Sequence, residues 1–169
     1  TLRLDKYLIS MKGSISAENV MDLTLDGKEI DLSYIRSFLP DSLRAKVEDY
    51  DPSGVLNARG TIKGLSSSAS DPAVTIDFDL GKGNVVYRKS PVRIRDLSFK
   101  GSFISGSRKN STKGSLSVDN FIGTLGSSQY TGSLRLPGVD PFSAKIRISG
   151  AVRPDEISEF FGISAVSSA

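Results

Sequence analysis

The sequence predicts a mainly β fold, a curled antiparallel meander sheet forming an open groove or an incomplete barrel. Three observations carry this: apolar and polar side chains alternate in run after run, turn chemistry separates the runs, and only two short segments show helical spacing. Met21, Leu23 and Leu25 alternate with Asp22, Thr24 and Asp26, and successive strand residues point to opposite faces of a sheet. Asp31 then precedes Leu32, Ile35 and Leu39 at helical spacing before Pro40. This predicts a short helix over 31–39, with Asp31 as cap and Pro40 as stop. Val74, Ile76, Phe78 and Leu80 oppose Thr75, Asp77 and Asp79 in the next clear strand.

In 92–99 the apolar set changes phase, from Val92 and Ile94 to Leu97 and Phe99. One extra residue near Arg95-Asp96 explains it, a β-bulge. Leu116 and Val118 make a shorter run. Tyr130, Leu134 and Leu136 oppose Thr131, Ser133 and Arg135, and Phe142, Ala144, Ile146 and Ile148 oppose Ser143, Lys145, Arg147 and Ser149. A second short helix is predicted over 154–161, with Pro154 in the first turn, Asp155 and Glu156 early, and Gly162 after the end. Turn signals fall at Asp71-Pro72, Gly81-Lys82-Gly83-Asn84, Ser90-Pro91, Gly126-Ser127-Ser128 and Pro137-Gly138. A strand, a glycine turn and a short helix thus occur twice, too far apart for an ordinary solenoid period.

With 169 residues, 38% hydrophobic and 24% charged, the chain suits one β-rich domain over 1–163 followed by a small, polar tail at 164–169. Its 22 basic residues are nearly balanced by 19 acidic ones, which disfavours nucleic acid as a partner. The absence of Cys and His removes thiolate metal sites and the commonest general base, so neither a catalytic residue, a metal site nor a cofactor is expected. The opening Thr1-Leu2-Arg3-Leu4 already alternates, as expected of a fragment of a larger protein.

Asp77 and Asp79 lie two apart on one strand face, about 7 Å at strand rise, within the range of an inverting glycosidase pair. Solvent-facing strand positions explain them better, since they alternate with Ile76 and Phe78. Glu48-Asp49-Tyr50-Asp51-Pro52-Ser53-Gly54 gathers three acids, yet it lacks a full calcium loop and reads as turn chemistry. Gly81-Lys82-Gly83 is followed by strand rather than helix, so a hairpin turn is preferred to a phosphate loop. From Arg88 to Lys113 the chain is basic, and Arg88, Lys89, Arg93 and Arg95 are candidates for contact with an anionic head group or an acidic partner. The apolar face is the strongest feature, because each buried aliphatic or Phe side chain is worth roughly 1.5–3 kcal/mol and such a face cannot be left bare. Its candidate lining residues are Val74, Ile76, Phe78, Leu80, Leu134, Leu136, Ile146 and Ile148.

Leu56-Asn57-Ala58-Arg59-Gly60-Thr61-Ile62-Lys63-Gly64, then Asp71-Pro72 and Gly83-Asn84-Val85-Val86-Tyr87, resembles the AsmA-like proteins of bacterial envelopes. Pro91-Val92-Arg93-Ile94-Arg95-Asp96-Leu97 and Leu125-Gly126-Ser127-Ser128-Gln129-Tyr130-Thr131-Gly132-Ser133-Leu134 match the style of that family's C-terminal region. The resemblance covers roughly residues 18–162 and rests on turn and strand signatures, so it carries over no active site. It implies a periplasmic β body in a protein anchored in the inner membrane by a segment outside this fragment, related to bridge-like lipid-transfer proteins. It implies phospholipid or another envelope lipid, and the rest of the full-length chain, as partners, in lipid transport or outer-membrane biogenesis. The alternative is a β-sandwich adhesion or scaffold module with a closed core and no lipid role.

Overall fold

The structure, a computed structural model, describes residues 8–34, 44–45, 47–106, 114–137, 143–151 and 153–161. Its strands are β1 (Leu8–Ile15), β2 (Val20–Asp31), β3 (Tyr50–Leu65), β4 (Ala73–Tyr87), β5 (Arg93–Ile104), β6 (Ser115–Leu125), β7 (Ser128–Leu136) and β8 (Lys145–Gly150). Each pairs antiparallel with its sequence neighbour, giving one eight-stranded meander in the order β1 to β8. The sheet does not close, so β1 and β8 are its edges.

Directly opposed residues share a face, and the register carries one apolar row across every strand. It runs Ile9, Gly27, Ala58, Phe78, Gly101, Val118, Leu134, Ile146. The row beside it runs Met11, Leu25, Gly60, Ile76, Phe103, Leu116, Leu136. Between them, on the opposite face, lie Ser10, Asp26, Arg59, Asp77, Ser102, Ser117, Arg135 and Lys145. The alternation legible in single strands therefore adds up to two faces of the whole sheet.

Pairing slips at the expected place: the β5–β6 register shifts between Arg95 and Ser98, where Asp96 takes φ 52°. Similar irregularities occur at Gly27/Ile30, Ser53/Val55, Leu80/Gly83 and Val118/Phe121, with positive φ at Glu29, Gly54, Lys82 and Asn120. A bulge bends its strand and sharpens the twist, so irregularities in β2 through β6 curl this sheet. The turn expected at Gly81-Lys82-Gly83-Asn84 is corrected: these residues lie inside β4. Gly and Asn supply unusual backbone geometry to a bulge as readily as to a hairpin. Here glycine answers a close approach, because a Cβ on Gly54 would come within 2.7 Å of the Gly83 Cα.

The helix expected over 31–39 is a 3₁₀ turn at 32–34, and 35–39 lie outside the described residues. Asp31 does cap it, accepting the Ser33 N–H at 2.9 Å, which holds the Asp31 carboxyl below its ordinary pKa. The second helix, α1, spans Pro154–Phe161 as expected. The 164–169 tail and the residues after Pro137 through Phe142 lie outside the described residues.

Two clusters of buried side chains sit on the apolar face. Leu32 packs on Leu56 and Leu80, with Ile30, Phe78, Leu97 and Phe99 around them. Phe160 of α1, 2% exposed, packs with Leu125 and Tyr130. Tyr50 and Tyr87, stacked at 4.8 Å, complete that cluster with ring centroids 5.8 and 6.3 Å from Phe160.

Candidate functional site

Among the described residues the apolar face is only partly covered. Helix α1 sits at the end carrying the 88–92 and 126–127 turns. Its anchor is Glu156, whose Oε1 accepts the Ser127 N–H at 3.0 Å and the Ser127 hydroxyl at 2.9 Å. The Tyr130 hydroxyl adds a second tie by accepting the Arg153 N–H at 3.1 Å. Gly126 has φ 58°, and a Cβ there would meet the Glu156 carboxylate, so the turn and the helix fit each other.

Beyond the helix lies a depression of about 270 Å³ walled by Leu97, Phe99, Val118, Phe121, Leu134, Ile146 and Ile148, with Ile157 and Phe160 at its closed end. Three of the sequence-predicted residues, Leu134, Ile146 and Ile148, meet there. Ile146 and Ile148 remain 56% and 44% exposed because β8 is an edge and nothing among the described residues covers its outer side. Phe78 and Leu80 belong to the Leu32 cluster instead, Val74 and Ile76 are half-buried on the same face, and Leu136 is 7% exposed. Ile157 and Phe160 were not singled out as lining; their three-residue spacing on an amphipathic helix was the available signal.

The other face holds a larger depression, about 660 Å³, among Asp26, Asn57, Arg59, Asp77, Asp79, Lys100 and Asp119. Its charges answer one another across strands: Arg59 with Asp26 at 3.4 Å, Arg135 with Asp119 at 3.2 Å, and Asn57 donating to Asp79 at 3.1 Å. Such a surface is at ease in water, whereas half-exposed isoleucines beside an apolar hollow are not. Size therefore does not make the charged hollow the better candidate. No group of acids placed to hold a metal occurs among the described residues.

Of the four candidate cations, Arg88 donates to Asp51 at 3.0 Å and to the Glu48 carbonyl at 2.7 Å, and Lys89 pairs with Asp49. Their partners hold both cations' pKa values above the ordinary range. Arg95 donates to the Gly126 carbonyl at 2.8 Å. Arg93 has no side-chain partner among the described residues. The Asp49 and Asp51 carboxylates and the Glu48 carbonyl thus fasten the 88–89 turn to the start of β3.

Fold and site together define an open antiparallel meander with one apolar face, plugged at one end by a short helix. Compared with protein-family models, curated proteins and solved structures, the chain matches none.

Proposed function

We propose that this chain is a lipid-handling module of a bacterial envelope protein, acting through its apolar β face and performing no catalysis. The observation that carries the reading is the hollow beside Ile146 and Ile148. It is walled by aliphatic and aromatic side chains, opens at a sheet edge and leaves large hydrophobic residues in contact with solvent. Acyl chains suit such a lining because burying each CH₂ is worth about 0.8 kcal/mol and requires no polar partner. The strand and turn motifs shared in style with AsmA-like proteins support the same reading and favour a periplasmic setting. The sandwich alternative needs a second sheet, and all the described strands belong to one.

Incubating the chain with phospholipid vesicles, re-isolating it and weighing it by native mass spectrometry tests the proposal. Bound phospholipid is expected, lost on Leu134→Asp, which places a carboxylate in the hollow. A lipid-free protein, or equal loading of wild type and variant, would overturn it.

A further inference from the structure

The outer face of the sheet carries an order that the lipid reading does not use. Across the middle of the sheet the sign changes from strand to strand: Lys12 on β1, Asp22 and Asp26 on β2, Arg59 and Lys63 on β3, Asp77 and Asp79 on β4, Lys100 on β5, Asp119 on β6, Arg135 on β7, while Lys28, beside the β2 bulge, departs from the series. Opposite charges facing each other across strands stabilise a sheet, and like charges directly opposed do the reverse. Several contacts in the series are closed pairs, as with Lys63 and Asp22 at 3.4 Å and Arg135 and Asp119 at 3.2 Å.

The series breaks at β8. Lys145 stands directly opposite Arg135, whose acid is already Asp119, and Arg147 stands opposite Ser133. Neither Lys145 nor Arg147 has an acidic partner among the described residues. On the other face of the same strand Ile146 and Ile148 are half exposed. Every residue of β8 is exposed, and its outer side pairs with no described strand.

We infer that the free side of β8 is a docking edge for an extended polypeptide segment that alternates acidic and apolar residues. Two acids spaced two apart would face Lys145 and Arg147, while the intervening apolar residues would lie beside Ile146 and Ile148. Backbone hydrogen bonds to an exposed edge supply the affinity, and the alternating side chains supply the selection. A second copy of this chain fits poorly, because both of its free edges are basic on the outer face, with Lys12 on β1 and Lys145 and Arg147 on β8. Edge lysines also deter unwanted strand pairing; here they would turn away basic strands and admit acidic ones.

The chain's own β4 supplies the probe. A peptide of residues 73–80 carries Asp77 and Asp79 between Ile76, Phe78 and Leu80, and a control carries Asp77→Lys and Asp79→Lys. Binding is measured by calorimetry, and the site by hydrogen exchange of the 145–150 amides. The acidic peptide should bind about tenfold tighter than its lysine counterpart and slow exchange in β8. The doubly reversed protein K145E/R147E should invert the preference. Equal binding of the two peptides, no protection of β8, an unchanged preference in the reversed protein, or dimerisation through β8 without peptide would each overturn the inference. Should circular dichroism show that K145E/R147E does not fold, K145Q/R147Q replaces it. The neutral variant must then lose the preference for the acidic peptide, and retention would count against the proposal.

Discussion

Glu156 shows how one side chain fixes a larger arrangement. Its Oε1 satisfies the Ser127 N–H and hydroxyl, while Oε2 is buried without a hydrogen-bond partner. The Ser127 N–H is the main cause holding its carboxyl below the ordinary value of 4.5; burial opposes it, and the Ser127 and Ser128 hydroxyls and Arg153 assist. A lowered folded pKa contributes stability that is fully present above the unfolded value and is lost as pH falls through the folded one. Wild-type melting temperature should therefore fall below pH 4.5. Glu156→Gln should melt lower at neutral pH, and the two curves should converge in acid; curves that stay parallel would refute the role. Phe160→Ala, which empties a position of the same helix that is only 2% exposed, should cost about 3–5 kcal/mol in urea unfolding. These partnerships were not legible in the sequence. Glu156 reads there only as an acid in a first helical turn, and Arg88 and Lys89 read as free cations, because Asp51 and Asp49 lie far from them along the chain.

The strands were far more legible, for a physical reason. A half-buried strand needs period-two alternation, and a phase change in that period requires an extra residue, so the Arg95-Asp96 bulge could be placed from side chains alone. Gly81 to Asn84 could not be assigned the same way, since a bulge and a hairpin draw on the same residues and only the partner strand distinguishes them. The apolar hollow was half visible: the even-phase residues of β7 and β8 reach it, but its closed end depends on where α1 returns. Gly132 gives the β7–β8 pair a sharp test. A Cβ there would lie 2.7 Å from the Phe121 ring and run into the Arg147 carbonyl oxygen, a backbone contact that no rotamer relieves. Gly132→Ala should strip the 145–150 amides of protection from hydrogen exchange while β3 to β5 keep theirs, and retention of β8 protection would show that the pair can shift to accept the methyl group.

Because every described strand pairs only with its sequence neighbours, the sheet is close to a one-dimensional array, in which stability is a sum of neighbour interfaces. Such an array loosens from its ends, and local opening free energies then grade along it. Native-state exchange should find the slowest amides in β3, β4 and β5, which have long strands on both sides, and the fastest in β1 and β8. A single free energy throughout would contradict this and imply a cooperative core. Two segments reach past their neighbours: the 32–34 turn, whose Leu32 packs on Leu80 of β4 as well as on Leu56 of β3, and helix α1. The helix follows β8 in sequence, yet Phe160 meets Tyr50 and Tyr87 at the far end of β3 and β4, tying the last element to the middle of the array. Phe160→Ala should therefore quicken exchange near Tyr50 and Tyr87 as well as in α1, and leave β1 unchanged. If only α1 responds, the helix is a passive plug, and the end of the apolar face it covers can open without disturbing the sheet.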